Sequence, residues 1–248
     1  MKTYANPPLI EAICDFHFIP SQPWDWTVFG LVYDRIKGGF PDKVQPPSPM
    51  LNVSIGPSLG GPVLGAARMQ FRREDGSALV QVGPDNLTVN HLTPYSGWPQ
   101  YRDMIASVLA VYREVAAPQG LHRLALRYVN RINIPVELMG VRGVEIGDYM
   151  LAQPSVPDLV PQVFSSWAQR VETFFNDANM ALVLQSGTGP GSEEFPVSFL
   201  LDLTMSPPLQ PVVLDDALTW LDQAHMNIES VFEECLGPKA RELFGPAS

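Results

Sequence analysis

The sequence predicts an α+β protein in which an antiparallel-rich sheet carries long helices on one face. Three observations support this fold class. Several segments alternate apolar and polar residues with a period of two, as half-buried strands do. Other segments carry apolar residues at helical spacing. The strand-like segments come in runs and do not alternate regularly with helices, which argues against a doubly wound parallel sheet.

The first strand is predicted over Leu9 to Phe18, a segment flanked by proline residues. One face is apolar and carries Ile10, Ala12, Cys14, Phe16 and Phe18. The other face carries Ile13 and the polar residues Glu11, Asp15 and His17. A helix is predicted to follow from about Trp24 to Lys37, with Ser21 or Asp25 as its cap.

The middle of the first half is predicted to be irregular and then sheet-like. Residues Pro41 to Gly65 are rich in proline, glycine and serine, which leaves room for at most one short strand at Leu51 to Ile55. Three extended segments separated by turn residues then predict an antiparallel meander. They span Arg68 to Arg73, Ala78 to Val82 and Leu87 to Leu92. A second helix is predicted from Trp98 to Val115.

The second half begins with the longest predicted strand, Arg123 to Ile134, whose polar face carries Arg127, Arg131 and Asn133. The remaining predicted elements are a short helix at Val144 to Leu151, strands at Val163 to Thr173, Met180 to Gln185 and Val197 to Met205, and helices at Leu214 to Cys235 and Lys239 to Phe244. Strand, helix, three strands and helix therefore occur twice. This order predicts a single domain of residues 1–248 with two structurally similar halves, residues 1–119 and 120–248.

Composition and charge narrow the classes of function. Only 17% of the 248 residues are charged, so much of the surface is uncharged, which favours self-association or a protein partner. The net charge of −10 makes nucleic acid an unfavourable partner, because phosphate binding depends on Lys and Arg. The first residues lack the apolar core of a signal peptide, and no segment reaches the roughly 18 apolar residues of a membrane span. We therefore expect a soluble, acidic, cytoplasmic protein that does not bind membranes.

Three segments carry a resemblance to a family. They are NPPLIEAICDFHF at residues 6–18, LRYVNRINIP at residues 126–135, and AHMNIESVF followed by ARELFG between residues 224 and 245. In this order and spacing they resemble a sporadically distributed family of prokaryotic proteins of about this length, which has no assigned function. The family often has a threonine near the end of the last long helix, where this chain has Cys235-Leu236-Gly237. The resemblance implies a single-domain cytoplasmic protein from an accessory or defence-type system, and it implies no catalytic residues.

The residue types that carry catalysis form no recognisable motif in this sequence. The four histidines lack the spacing of a zinc helix and no CxxC pair is present, so the sequence implies no metal and no cofactor. Cys14 and Cys235 have apolar neighbours and are expected to be reduced and buried. His225 lies on the apolar stripe of the last long helix, where a core or interface histidine is more frequent than a metal ligand.

The most informative polar residues lie on two strands. If the first strand and the long central strand are neighbours, their acidic and basic residues face one another across the sheet. These residues are Glu11, Asp15 and His17 on the first strand and Arg127, Arg131 and Asn133 on the central strand. One interpretation is a structural charge ladder, in which each exposed pair contributes on the order of 0.2–1 kcal/mol. The other is a polar surface that binds an anionic or amide-bearing ligand through planar arginine side chains.

Two tryptophans, Trp24 and Trp26, flank the start of the first predicted helix. They are candidates for a protein interface, and a hydrophobic staple at the helix entry is the alternative. Together these features favour a non-catalytic binding or assembly protein, either a homodimer or a subunit of a larger complex. The alternative is an enzyme or small-ligand binder that uses the polar sheet face.

Overall fold

A computed structural model describes residues 4–45, 68–138, 143–175, 179–208 and 212–246. Its strands are β1 (Leu9–Ile19), β2 (Asp42–Val44), β3 (Met69–Arg72), β4 (Ala78–Val82), β5 (Asn86–Leu92), β6 (Gly120–Ile134), β7 (Ala168–Phe175), β8 (Met180–Thr188) and β9 (Val197–Ser206). Its helices are α1 (Thr27–Ile36), α2 (Trp98–Ala116), α3 (Ile146–Tyr149), α4 (Ala217–Cys235) and α5 (Pro238–Phe244). None of the helices in this part of the chain is long and apolar enough to cross a membrane.

All of these strands pair antiparallel in one sheet, in the order β2-β3-β4-β5-β1-β6-β9-β8-β7. This arrangement confirms the predicted α+β class. β1 and β6 lie side by side at the centre. Read outward from this pair, one half runs β1-β5-β4-β3-β2 and the other runs β6-β9-β8-β7. The strand order is therefore alike in the two halves, and a duplication of the chain stays a prediction.

The inner face of the sheet is apolar and packs against the helices. In β1, Ala12, Cys14 and Phe16 are completely buried, and the residues between them are partly exposed. Phe18 stacks on Tyr112 of α2 with ring centroids 4.6 Å apart. α4 packs on β6 and β9 in the other half. Each large apolar side chain buried there contributes about 1.5–3 kcal/mol relative to an exposed one.

Most predicted elements are present, and the differences lie mainly at element ends. Asp42–Val44, predicted as irregular, forms the edge strand β2 because it pairs with β3. β7 begins at Ala168, later than predicted. α1 begins at Thr27, whose backbone N–H donates to Oδ1 of Asp25. The short strand predicted at Leu51 to Ile55 lies outside the described residues.

A β-bulge in β1 corrects one face assignment. Ile10, predicted on the apolar face, is 40% exposed, and Leu9 is buried instead. The register explains this, since Leu9 lies opposite Asn130 and Glu11 lies opposite the adjacent residue Val129. Two residues of β1 therefore span one step of β6, which turns Leu9 toward the helices.

Cys14 and Cys235 are both buried and form no disulfide, as predicted. Burial raises the pKa of both thiols, that of Cys235 to about 11. Both thiols are therefore protonated at neutral pH and behave as small apolar side chains.

Candidate functional site

β1 and β6, which carry the residues of the predicted charge ladder, are neighbours in the sheet. Ile13 lies opposite Arg127, and Asp15 lies opposite Ala125. Directly opposite residues of an antiparallel pair share a face. The polar side chains of both strands therefore share the outer face, which is the face away from the helices.

Both acidic residues of β1 form a hydrogen bond with β5, and Asp15 also contacts His17 of β1 itself. Oδ1 of Asp15 accepts from Oγ1 of Thr88 at 2.6 Å, and its Oδ2 lies 2.8 Å from Nε2 of His17. Glu11 accepts from Nδ2 of Asn90 at 2.7 Å. Burial alone raises the pKa of Asp15, but the hydrogen bonds from His17 and Thr88 hold it below its ordinary value. The register decides this pairing, because it sets Thr88 directly opposite Asp15.

The arginines of β6 also form contacts on the side of the strand away from β1. Arg127 forms a bidentate ion pair with Asp202 of β9, with Nε–Oδ1 at 2.9 Å and Nη2–Oδ2 at 2.6 Å. Nη2 of Arg131 donates to the carbonyl oxygen of Pro190 at 2.5 Å. Nε of Arg131 and Oδ1 of Asn133 are buried without a hydrogen-bond partner. The six predicted residues thus share one face, on which Asp15 bonds toward β5 and Arg127 bonds toward β9. The Glu11 carboxylate also raises the pKa of Arg127 electrostatically.

A cavity of about 670 Å³ opens on the opposite side of β1 and β6, beside the helices. Its walls come from the start of β1, the loop before α2, the middle of β6 and one edge of α4. Leu9 reaches this wall through the β-bulge. We call this space the helix-side cavity. Its size falls within the range of roughly 300–1,000 Å³ that is usual for small-molecule sites.

Trp98 at the start of α2 forms a rigid part of the wall. Its ring stacks on His225 with centroids 4.4 Å apart and planes inclined by 13°. The indole Nε1 donates to Oδ1 of Asp222 at 3.0 Å, and the same oxygen accepts from Nε of Arg102 at 2.7 Å. Gly97, with a φ of +97° that favours glycine, turns the chain into α2 just before this ring. The position of Trp98 is therefore set by the turn and by two side chains of α4, Asp222 and His225.

A chain of hydrogen-bonding side chains runs from Tyr95 through Tyr128 to His225. The two tyrosine hydroxyls are 3.3 Å apart, and the Tyr128 hydroxyl lies 2.8 Å from Nδ1 of His225. Burial lowers the pKa of His225 to about 4, and His225 is only 3% exposed. Burial also raises the pKa of both tyrosines. All three side chains are therefore uncharged near neutral pH.

Two carboxylates lie on α4 beside this chain, one helical turn apart. Oε1 of Glu229 is 3.3 Å from Nε2 of His225. Burial raises the pKa of Glu229 to about 7, and the nearby Glu233 carboxylate adds to this rise. Oε1 of Glu233 accepts from the hydroxyl of Tyr4 at 2.7 Å. Oε2 of each carboxylate is buried without a hydrogen-bond partner.

The sequence predictions missed this cavity. His225 is buried, as expected for a core histidine, but it also lines the cavity. One sequence signal was available, because His225, Glu229 and Glu233 follow one another at four-residue spacing and therefore lie along one edge of a helix. Tyr95 and Tyr128 come from separate elements, so no local pattern connects them to α4.

The two tryptophans before α1 have different environments. Trp24 is half-buried and packs edge-on against Phe29, with ring centroids 5.2 Å apart, as a hydrophobic staple does. Trp26 is 63% exposed, and its ring centroid lies 5.8 Å from that of Phe29. Of the two, Trp26 is therefore the residue that a partner can reach, and its role in an interface stays a prediction.

Comparison with known proteins finds no family model that matches the chain and no curated protein that is similar to it. The resemblance to the sporadically distributed prokaryotic family stays a prediction.

Proposed function

We propose that this chain is a non-catalytic binding protein whose ligand occupies the helix-side cavity. One observation carries the proposal: Oε2 of Glu229 and Oε2 of Glu233 are buried without a hydrogen-bond partner beside a 670 Å³ space. A buried polar atom without a partner costs about 1–3 kcal/mol, and a ligand that bonds to it removes that cost. The proposed location is the cytoplasm, on the sequence argument alone.

The shape and chemistry of the walls support binding. Aromatic side chains supply a large contact area, and a few polar atoms converge on the same space, which is the usual composition of a ligand site. Trp98 and His225 are held by hydrogen bonds to neighbouring side chains. A wall that is already ordered loses little conformational entropy when a ligand binds.

A cavity-filling variant tests the proposal. Met226 is exposed and lines the cavity, so Met226→Trp places a large ring there without disturbing the core. Leu31→Trp, on the exposed side of α1, is the matched control. We expect small molecules that raise the Tm of the wild type and of Leu31→Trp but not of Met226→Trp. At about 100 times Kd such a ligand stabilises by about 2.7 kcal/mol. A screen whose hits all stabilise Met226→Trp equally well contradicts the proposal.

An acyl-transfer enzyme is the second candidate function, and one contact favours it. Oγ of Ser96, which lines the cavity, lies 2.8 Å from Nε2 of His91. Nδ1 of His91 lies 2.8 Å from the carbonyl oxygen of Leu92, so Nε2 is left to accept the serine proton. A fluorophosphonate probe that labels the wild type and not Ser96→Ala supports this candidate. Failure to label the folded wild type excludes it.

A broader version of the proposal is that the chain assembles with a protein partner or with a second copy of itself. Trp26 and Leu31 expose apolar side chains near and on α1. Phe174 is exposed on β7, which is the last strand in the sheet order. Exposed edge strands with apolar side chains pair readily with another chain. Light scattering across a concentration series tests this, and a dimer that Trp26→Ser or Phe174→Ser dissociates is the expected result. A monomer at every concentration excludes self-association.

The outer sheet face stays the alternative ligand site. Its support is the pair of buried, unpartnered polar atoms on Arg131 and Asn133. Arg131→Ala tests it directly, because this change removes the donors and leaves the apolar inner face intact. If a ligand found by the screen binds folded Arg131→Ala as it binds the wild type, the outer face is not its site.

A further inference from the structure

We propose that the helix-side cavity binds an organic cation, that is, an ammonium group carried on a small apolar body. This inference rests on the proposed function and names the ligand class of the same site. Its basis is the combination of acceptor atoms, aromatic walls and negative charge around one space.

Two carboxylate oxygens of the cavity lack a hydrogen-bond donor, and Nε2 of His225, which is also buried without a hydrogen-bond partner, lies 3.3 Å from Oε1 of Glu229. Oε2 of Glu229 and Oε2 of Glu233 are buried acceptors without a hydrogen-bond partner. An ammonium group brings up to three donors and no acceptor, so it supplies what these atoms lack. An anionic ligand would add further acceptors beside the same carboxylates, which the geometry disfavours.

The charge balance of the cavity is negative. The described residues that line it include Glu229 and Glu233 but no lysine or arginine. His225 is uncharged near neutral pH because burial holds its pKa at about 4. The nearest cationic atom to Glu233 is Nε of Arg241, 3.5 Å from its Oε2, and Arg241 also donates to the backbone carbonyls of Leu236 and Glu233. The whole chain carries a net charge of −10.

Aromatic rings supply the second component of a cation site. The lining rings are those of Tyr4, Tyr95, Trp98, Tyr128 and Phe232. The negative face of an aromatic ring attracts a cation, and the attraction grows when the cation is removed from water. The rings also provide apolar contact for the body of the ligand.

The ionisation of Glu229 is consistent with this ligand class. Burial and the neighbouring Glu233 raise its pKa to about 7, so the carboxylate is partly protonated near neutral pH. Two charges act on this carboxylate, since Glu233 raises its pKa and the amino-terminal charge lowers it. Its other neighbours are His225 on α4 and the hydroxyls of Tyr95 and Tyr128. A bound ammonium favours the carboxylate form. Binding therefore releases a proton and tightens as the pH rises through about 7.

Calorimetric titration with ligands that differ in charge tests the inference. The probes are 2-phenylethylammonium, 2-phenylethanol and phenylacetate, which keep a similar body, and n-butylammonium, which has a different one. Near pH 8, where Glu229 is mainly ionised, we expect the ammonium to bind at least about tenfold more tightly than the alcohol, which corresponds to about 1.4 kcal/mol. Phenylacetate is expected to bind most weakly.

Two variants test whether the preference for the ammonium over the alcohol arises in the helix-side cavity. Glu229→Gln should reduce the preference for the ammonium over the alcohol to about twofold or less, because it removes the charge and keeps the shape. Glu234→Gln removes the same charge from an exposed position of the same helix and should keep the preference. Circular dichroism verifies that both variants fold.

Different failures separate the inference from the proposed function. If the alcohol binds as tightly as the ammonium and Met226→Trp blocks both, the cation inference is wrong and the cavity still binds ligands. If the preference persists in Glu229→Gln, the charge of this carboxylate does not select the ligand and the inference is also wrong. Absence of binding by both ammonium probes at millimolar concentration overturns the inference, while the small-molecule screen continues to test the proposed function.

Discussion

Nε2 of His225 lies 3.3 Å from Oε1 of Glu229, one turn further along α4, and burial favours the uncharged form of both side chains. The pKa of His225 falls from 6.5 to about 4, and that of Glu229 rises from 4.5 to about 7. Between about pH 4.5 and 6.5 the unfolded chain therefore carries the proton on His225, and the folded chain carries it on Glu229. Folding moves one proton between two neighbours and leaves the number of bound protons unchanged.

The first prediction concerns the pH dependence of stability in this window. For His225 alone, the unfolded state binds more protons, so stability rises with pH; for Glu229 alone, the folded state binds more, so stability falls with pH. The two contributions cancel in the wild type. Relative to the wild type, the free energy of unfolding of Glu229→Gln should rise with pH by up to about 1.4 kcal/mol per pH unit. That of His225→Gln should fall with pH by a similar amount. Urea unfolding at several pH values measures both.

Glu234→Gln is the control for this prediction, because it removes an exposed carboxylate from the same helix. Its profile should follow that of the wild type. If Glu229→Gln and His225→Gln also follow the wild-type profile, the proton transfer does not occur on folding.

The second prediction concerns the hydroxyl of Tyr128. Tyr128→Phe removes the partner of Nδ1 of His225 in a buried position and should lower the free energy of unfolding by about 1–3 kcal/mol. Tyr33→Phe is the matched control, since the Tyr33 hydroxyl donates to the carbonyl of Pro41 at an exposed position. The control should change stability by less than about 0.5 kcal/mol. Equal losses in the two variants would falsify the assigned role of the buried hydrogen bond.

The third prediction separates a buried ion pair from an exposed one. Asp202 is only 2% exposed, so Arg127→Met leaves a buried carboxylate without its bidentate partner. We expect a loss of about 3–5 kcal/mol in the free energy of unfolding. Arg170→Met, which breaks the exposed pair with Glu172, should cost less than about 1 kcal/mol. Urea titration distinguishes the two, and similar losses would contradict the burial argument.

The fourth prediction compares two glycines. A Cβ at Gly237 would lie 2.3 Å from the backbone carbonyl of Asp148, so Gly237→Ala must displace backbone and should cost about 1–3 kcal/mol. Gly30 lies inside α1 with open space around its Cα, so Gly30→Ala should stabilise by about 0.5–1 kcal/mol. In thermal unfolding, we expect a lower Tm for Gly237→Ala and a higher Tm for Gly30→Ala than for the wild type. A stable Gly237→Ala variant would show that the contact between this segment and α3 can relax.

The local sequence pattern was sufficient to predict most strands and helices but not which of them pair with one another. The alternation in β1 and the spacing of apolar residues in α2 and α4 are properties of neighbouring residues, so the sequence predicts them. The edge strand β2 has no such pattern. It forms because its backbone completes hydrogen bonds offered by β3, a contact that depends on the rest of the sheet.

The candidate sites show the same division. The sequence placed Glu11, Asp15 and His17 on one polar face of β1, and the structure has them there. It did not identify Asp202 as the partner of Arg127, because the two residues are 75 positions apart and meet only through the pairing of β6 with β9. The register of two paired strands decides which charged residues lie opposite one another, and this register is set by the assembled sheet.

By itself, the sequence determined the α+β class, the antiparallel sheet and the apolar face that the helices cover, since these follow from the periodicity and composition of each segment. Only the tertiary structure decided that Tyr95, Tyr128, His225 and Glu229 surround one cavity. They come from a loop, a central strand and a helix, and the strand order and the packing of α4 bring them together. The unusual ionisation of Glu229 has the same origin, because burial exists only after the chain has folded.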